Sequence, residues 1–578
     1  MRKQIEDLRE KMREKKTDAY IIPTTDFHGS EYVNDYFKCR EFVSGFTGSA
    51  GTLVVTADAA ALWTDGRYFL QAESELAGSE IMLMREGEPD VPEITEWLRQ
   101  RLTSGKAQTV GFDGRIVSAK FGEKIKEHFN VEAELDLAGE IWAERPELMP
   151  SEIYPLGLGV TGESAESKLS RVREEMRNAG AEANIITSLE EIAWLFNLRG
   201  SDVLHTPVFY AFALIERERA TIYLLNRTGK VKSLFNDDIE IKPYEAIFDE
   251  LKLLDAKSVM YDGNTISYRL AESIPNACES IKCTDPAMRM KAIKNSTEIA
   301  CTKQAHIRDG AAEVKFMKWL KENVSKEAIT EISAADYLWE ERRKQGAYDL
   351  SFNTIAGYGP HGAIIHYEAA PQTNVQLKPE GFLLVDSGGQ YEDGTTDITR
   401  TIALGPLTKE MKHCYTAVLK AHIALATAEF DADTTGAQLD AAARKPLHAE
   451  GLDFKHGTGH GVGHMLSVHE GPNTISPRGK NSYILPGMIT SNEPGVYIEN
   501  KFGIRLENEI LCTERKDGRY EFETITFCPF EREAILPELL TETEKAWLNA
   551  YHARVYDTLK PLLSTEEQVW LKAAASEI

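Results

Sequence analysis

Charged residues recur at helical spacing through MRKQIEDLREKMREKK, residues 1–16, and an apolar run, AYIIP, follows at 19–23. That order predicts a helix feeding a buried strand. Residues 172–187, VREEMRNAGAEANIIT, echo residues 8–23, LREKMREKKTDAYIIP, with seven identities in sixteen aligned positions. Amphipathic helices rich in Arg, Glu and Met converge easily, so the echo by itself leaves convergence and duplication of an α/β unit both open.

After the first copy come TLVVT and AALWT, short strand-like runs separated by ADA, and then a long helical pattern from Gly66. Regularity fails in the Pro- and Gly-bearing segment ERPELMPSEIYPLGLG, which sets a first boundary. The second unit carries NIITSLEEIAWLF and the strand-like ATIYLLN, and ends near CTDPAMRM. Beyond it Asn295, with Glu298 three residues on, opens a long amphipathic helix by a capping-box pattern. Helical EISAADYLWEERRKQ then alternates with the apolar runs GFLLVDSGG and GIRLENEILC, the mark of a mixed α/β domain. The expected fold is α/β, in the α+β sense, with domains 1–160, 161–290 and 291–578.

Composition narrows the functions. With 66 Lys plus Arg against 91 Asp plus Glu, the formal charge is -25 and no basic patch offsets it, which argues against nucleic acid and anionic membrane as partners. The N-terminus reads as neither a signal peptide nor a membrane span, and no later run is apolar enough to cross a bilayer. Seven scattered cysteines without a Cys-x-x-Cys pair fit a reducing, cytoplasmic location.

The dense chemistry lies in the third domain. HGTGHGVGHMLSVHEGP, residues 456–472, holds four histidines, but Gly457, Gly459, Gly461 and Gly463 each cost about 1 kcal/mol in a helix interior. A zinc-protease helix is thereby excluded, and no Gly-Lys-Ser/Thr supports a phosphate loop. Acidic partners appear in two further stretches. LLVDSGGQYEDGTTDITRT presents Asp386 and Asp397 on either side of the turn signal Asp393-Gly394, and NEPGVYIENKFGIRLENE presents Glu493 and Glu507 around a polar run and Gly503. An aspartate at the end of an apolar strand costs several kcal/mol if buried alone, so it demands a cation or strong donors. Four carboxylates and an imidazole suit two divalent ions about 3.5–4 Å apart, with a bridging water ionised near neutral pH as nucleophile. The oxygen-rich set leans to manganese, with cobalt or zinc as alternatives.

Asp386, Asp397, His460, Glu493 and Glu507 resemble, in order and spacing, the five metal ligands of the pita-bread metallopeptidases. Within that group the chain is similar to the three-domain Xaa-Pro aminopeptidase (aminopeptidase P) type over nearly its whole length, through FVSGFTGSAGT, WTDGRYFLQA, EIAWLFNLRGSDV, GAIIHY, DGTTDITRT, HGTGHGVGH, VHEGP and FGIRLEN. The resemblance implies two related creatinase-like N-terminal domains, which favours duplication, ahead of a pita-bread catalytic domain. It implies that Asp386 binds one metal, His460 and Glu493 bind the other, and Asp397 and Glu507 bridge. Glu493 is the implied proton shuttle, passing a proton to the proline nitrogen that leaves. His366, His456 and His469 are implied around the substrate, where imidazole donors hold the peptide and stabilise the oxyanion.

Tyr497 occupies a position where similar enzymes show an active-site tyrosine. Arg505, two residues before Glu507, alternates onto the same face and is expected to orient that carboxylate. His464 stands where the family accepts varied residues, so a structural role is expected. The implied activity is removal of an N-terminal residue preceding proline from peptides. The family also suggests a homodimer, with the helical tail LTETEKAWLNAYHARVYDTL as a contact surface. The rivals are a prolidase acting on Xaa-Pro dipeptides with the same ligands, and a peptide-binding pita-bread module, against which the intact ligand set argues.

Overall fold

The structure is a computed structural model describing residues 2–103, 108–225, 229–232, 234–235 and 238–578. Two compact units are formed, Met1–Leu158 with Glu163–Met288, and Gly159–Gly162 with Arg289–Ile578.

The first unit contains one architecture twice. Helix α1 (Lys3–Lys15) leads into β1 (Ala19–Pro23), and β2 (Thr52–Thr56), β3 (Ala60–Thr64), β4 (Ile81–Arg85), β5 (Thr109–Phe112) and β6 (Asn130–Glu132) complete a sheet of order β4-β3-β2-β1-β5-β6. Helix α2 (Ala165–Ala179) leads into β7 (Ala183–Ile186), and β8 (Ala211–Glu216), β9 (Ala220–Leu224), β10 (Ile239–Pro243), β11 (Ser258–Tyr261) and β12 (Glu279–Lys282) give the order β10-β9-β8-β7-β11-β12. Every neighbouring pair keeps its sense: β1 and β7 run antiparallel to β2 and β8 and parallel to β5 and β11. The Met-Arg pair shared by the echo closes both helices. Thr17 and Lys16 N–H donate to the carbonyls of Met12 and Arg13, and Ala181 and Gly180 N–H donate to those of Met176 and Arg177. Convergence does not account for this repetition; the echo marks a duplicated unit.

The long helix expected from Gly66 is instead a short one, Phe69–Glu75. Left-handed Gly78 (φ 74°) ends the stretch, and the apolar IMLMR run forms β4, which pairs in parallel with β3. Asn226, the last residue of ATIYLLN, lies outside the described residues.

The second unit opens with α3 (Ser296–Asn323). The Asn295 side chain accepts from Glu298 N–H, and the Glu298 carboxylate accepts from Asn295 N–H, completing the capping box. A three-stranded sheet is built from β13 (Ile355–Tyr358), β14 (Phe382–Ser387) and β15 (Ile398–Ala403), with β14 central. Helix α4 (Lys409–Ala426) packs on α5 (Gly436–Ala449). A larger sheet comprises β16 (Gly459–Gly461), β17 (Glu470–Ile475), β18 (Ile489–Asn492), β21 (Asn508–Glu514), β22 (Tyr520–Thr524) and the short strand Glu429–Phe430; β19 (Gly495–Ile498) and β20 (Phe502–Arg505) form a separate hairpin.

Near the C-terminus, helix α6 (Glu542–Leu559) places Leu548, Tyr551, Val555 and Leu559 in the same core as Tyr415, Val418 and Phe530. Its apolar stripe is covered by its own domain and is therefore no argument for a dimer contact. Among the described residues no helix is long and apolar enough to cross a membrane.

Candidate metal centre

Two hairpins and a glycine-rich strand assemble the acidic residues. On β14 Asp386 lies opposite Thr399 of β15, and between these strands Tyr391 pairs with Gly394 across the Glu392-Asp393 turn. The chain reverses there, bringing Asp397 back beside Asp386. In the β19–β20 hairpin Tyr497 lies opposite Gly503, and the turn passes through left-handed Asn500 (φ 60°), so Glu493 and Glu507, which flank the hairpin, approach one another. His460 sits on β16 between glycines whose role is steric. A Cβ on Gly459 would fall 1.9 Å from the Ser491 carbonyl oxygen, and one on Gly461 would fall 2.2 Å from that of Glu470. Only glycine lets the flanking backbones come this close.

Three overlapping groups have ligand-type atoms mutually within 4.8 Å: Asp386 with Asp397 and Glu507, His460 with Glu493 and Glu507, and Asp397 with His460 and His469. His460 Nε2 stands 3.4 Å from both Asp397 Oδ2 and Glu493 Oε1. Burial, then the charges of Asp386 and Glu493, pushes the Asp397 carboxyl well above the ordinary range. Burial and the charges of Asp397 and Asp386 do the same to Glu507, and burial also raises Glu493. Asp386 Oδ1 and Asp397 Oδ1 are buried without a hydrogen-bond partner among the described residues. Orphaned carboxylate oxygens within a cluster of four acids fit multivalent cations, and the donor set of oxygens with one or two imidazoles suits a pair of them.

Arg505 is buried among these acids, yet it does not bond Glu507 as expected. Its Nη2 and Nε donate to Asp386 Oδ2 at 2.6 and 3.0 Å, and Nη1 donates to the Tyr497 hydroxyl at 2.7 Å. Glu507 receives its hydrogen bond from the Thr399 hydroxyl at 2.7 Å instead. Chain alternation sets the face of Arg505 correctly, but the sheet beneath it offers the nearer carboxylate from β14. The Tyr497 hydroxyl also lies 2.7 Å from His456 Nε2, linking Arg505 to that histidine. The His469 ring packs edge-on against His460 with centroids 4.3 Å apart. His366 follows Ile365, whose carbonyl accepts from Arg505 Nη2 at 3.4 Å. His464 faces elsewhere: Nδ1 lies 3.1 Å from the Thr302 hydroxyl and Nε2 3.1 Å from the Val160 carbonyl.

Sequence reasoning passed over Arg400, buried on β15, whose Nη1 donates to the Glu507 carbonyl at 2.6 Å and whose Nη2 donates to Asn508 Oδ1 at 2.8 Å. It also passed over Ser491, whose hydroxyl accepts from His460 N–H at 3.0 Å and donates to Glu493 Oε1 at 3.1 Å, and Glu509, which accepts from Asp397 N–H. Alternation from Glu507 was the available signal for Glu509; nothing local marked the other two.

Fold and site together define a metal-dependent hydrolase with a duplicated α/β region ahead of its catalytic domain. The pattern described as the creatinase/prolidase N-terminal domain matches residues 4–146, and a second of that description matches 144–298. Metallopeptidase family M24 matches 300–514, and the C-terminal region of that peptidase family matches 518–578. The chain is 42% identical to aminopeptidase P2 of Arabidopsis thaliana, over 96% of this chain and 85% of that protein. It superposes on the X-prolyl aminopeptidase of Caenorhabditis elegans, described as a cytosolic enzyme with a di-nuclear active site, with a TM-score of 0.95 and 32% identity over 100% of this chain and 99% of that one. The Xaa-Pro dipeptidase of Bacillus anthracis is similar over 64% of this chain and 100% of its own, with a TM-score of 0.53 and 27% identity. The chain thus belongs to metallopeptidase family M24, in its pita-bread form with two creatinase-like N-terminal domains.

Proposed function

We propose that the protein is a dinuclear-metal aminopeptidase that removes the N-terminal residue of peptides with proline in second position. The observation that carries this is the cluster of Asp386, Asp397, His460, Glu493 and Glu507, with two buried carboxylate oxygens left without partners among the described residues. In this reading Asp386 would hold one cation and His460 and Glu493 the other, with Asp397 and Glu507 available to both, and manganese would be preferred by the oxygen-rich donors. Bound divalent cations supply Lewis acidity toward the scissile carbonyl and toward water.

The chain's own groups do the rest. Glu493, held by the Ser491 hydroxyl, takes a proton from the water whose oxygen bonds to the scissile carbonyl carbon and delivers it to the proline nitrogen as the C–N bond breaks. His366 and His469 donate hydrogen bonds to the peptide and to its carbonyl oxygen as charge develops there, and His456, whose ring nitrogens face the Tyr497 hydroxyl and the Gly457 carbonyl, stands with them around the substrate. Tyr497 orients His456, and Arg505 holds Asp386. The division into 1–160, 161–290 and 291–578, a cytoplasmic location and a homodimer belong to the same reading. Likeness to two aminopeptidases over nearly the full chain, at 42% and 32% identity, supports the aminopeptidase reading over the dipeptidase one.

Mass spectrometry of an Xaa-Pro-Yaa tripeptide and an Xaa-Pro dipeptide, incubated with chelator-stripped protein before and after manganese is restored, tests the reading. Free Xaa from the tripeptide only after restoration is expected. Cleavage of the dipeptide alone makes the protein a prolidase, and no turnover of either substrate despite bound metal makes it a binding module.

A further inference from the structure

A fifth acid lies behind the four described above. Glu509, on β21, follows by two positions Glu507, which lies just before that strand, and Glu509 is fully buried at 0% exposure. Its Oε1 accepts from the Asp397 backbone N–H at 2.8 Å. Asp397 immediately precedes β15, outside the β14–β15 ladder, and its N–H is satisfied by this side chain. Glu509 Oε2 stands 3.0 Å from Nε2 of His306, a residue of α3 that is 2% exposed. The two atoms lie buried at ion-pair distance, and neither makes a hydrogen bond with any described residue.

Adding a carboxylate beside four others is unfavourable for a metal-free core, and the charge of Glu509 is one of those raising the Asp397 carboxyl. A burden of that kind is retained where it performs a task. Glu509 faces the backbone N–H of Asp397.

We propose that His306 and Glu509 are a positioning pair for the metal centre. Glu509 fixes the peptide unit from which the Asp397 side chain projects, and His306 fixes Glu509. This rests on the dinuclear reading above. The pair contacts no substrate and acts through cation affinity, because Asp397 is the ligand assigned to both ions. Partners of this kind change metal affinity by about 10- to 100-fold when removed.

The test uses the full-length chain, stripped with chelator and titrated with Mn2+ by calorimetry, for wild type, Glu509→Ala, Glu509→Gln, His306→Ala and His306→Gln, with thermal midpoints recorded in parallel. Glu509→Ala is expected to weaken Mn2+ binding by about 10- to 100-fold. Glu509→Gln, which keeps an acceptor for Asp397 N–H, falls between it and wild type, and His306→Gln, which keeps a donor, binds better than His306→Ala. The Mn2+ concentration for half-maximal peptidase activity rises by the same factor, while KM at saturating Mn2+ stays within twofold of wild type. Wild-type Mn2+ affinity in Glu509→Ala and Glu509→Gln overturns the proposal, as does a loss that follows the thermal midpoint and that excess Mn2+ does not restore. Failure of wild type itself to bind Mn2+ overturns the dinuclear reading and this inference with it.

Discussion

Replacing Arg505 by methionine separates the effect of a counter-charge from that of packing. The guanidinium is 1% exposed, makes two hydrogen bonds to Asp386 Oδ2 and one to the Tyr497 hydroxyl, and faces the cluster of acids. Removing one partner of a buried ion pair costs roughly 3–5 kcal/mol, because the remaining charge is left uncompensated. Methionine conserves much of the volume, so the loss is electrostatic. In metal-loaded protein the cation beside Asp386 supplies the missing positive charge, and the cost falls to that of the lost hydrogen bonds, about 1 kcal/mol net. The difference between chelated and loaded protein is then roughly 2–4 kcal/mol. A unit of roughly 290 residues loses about 1.6 °C per kcal/mol, so Arg505→Met lowers the thermal midpoint by roughly 3–6 °C more in chelator than in excess Mn2+. Arg505→Lys, which keeps the charge but loses the planar fork, falls between. Scanning calorimetry of the three proteins under both conditions measures this. Equal depressions with and without metal refute the reasoning, since a packing defect ignores the cation.

His464→Ala keeps most turnover and loses about 1–3 kcal/mol of stability through the unmade bonds to Thr302 and Val160, whereas His460→Ala loses metal and nearly all activity; equal losses in steady-state assays contradict the assignment. Burial lowers His28 and His552 from the usual 6.5 to about 4. Both bind fewer protons folded than unfolded between those values, so the stability they contribute is complete above pH 6.5 and disappears as pH falls toward 4, on the order of 3 kcal/mol each; denaturant midpoints that stay flat from pH 7 to 4.5 contradict this. Burial raises Asp285 from 3.8 to about 7, so the folded state keeps its proton where the unfolded chain has released it, and stability is lost as pH rises through that window. Asp285→Asn, which retains an acceptor for Ala287 N–H, is expected to gain up to about 4 kcal/mol at pH 8 relative to wild type and little at pH 4, as read by urea titration.

Local patterns carried much of the geometry. The Asp393-Gly394 signal and the polar run before Gly503 mark real reversals, and the pairing of Asp386 with Asp397 and of Glu493 with Glu507 follows from them. Alternating glycine excluded a helix around His460, which lies on a strand. Information that depends on the third dimension was hidden. Alternation put Arg505 on the right face but could not show that β14 delivers Asp386 to it, and Arg400 reaches the Glu507 carbonyl across two strands distant in sequence. The pattern after Gly66 misled because a half-buried segment with mixed spacing satisfies the helical template until a left-handed glycine and an apolar run decide otherwise.

The two copies in the first unit carry a hazard during synthesis. Sheets with the same strand order and the same parallel and antiparallel senses offer each strand a second berth in the neighbouring copy, and misassembly of this sort is the characteristic failure of repeated domains. The first strands still share Ala and the Ile-Ile pair, AYIIP against ANII, while their central neighbours read TLVVT against AFALIE. The copies thus differ more at the partner strand than at the strand that begins each copy, and side-chain fit there is where a misplaced strand would be penalised.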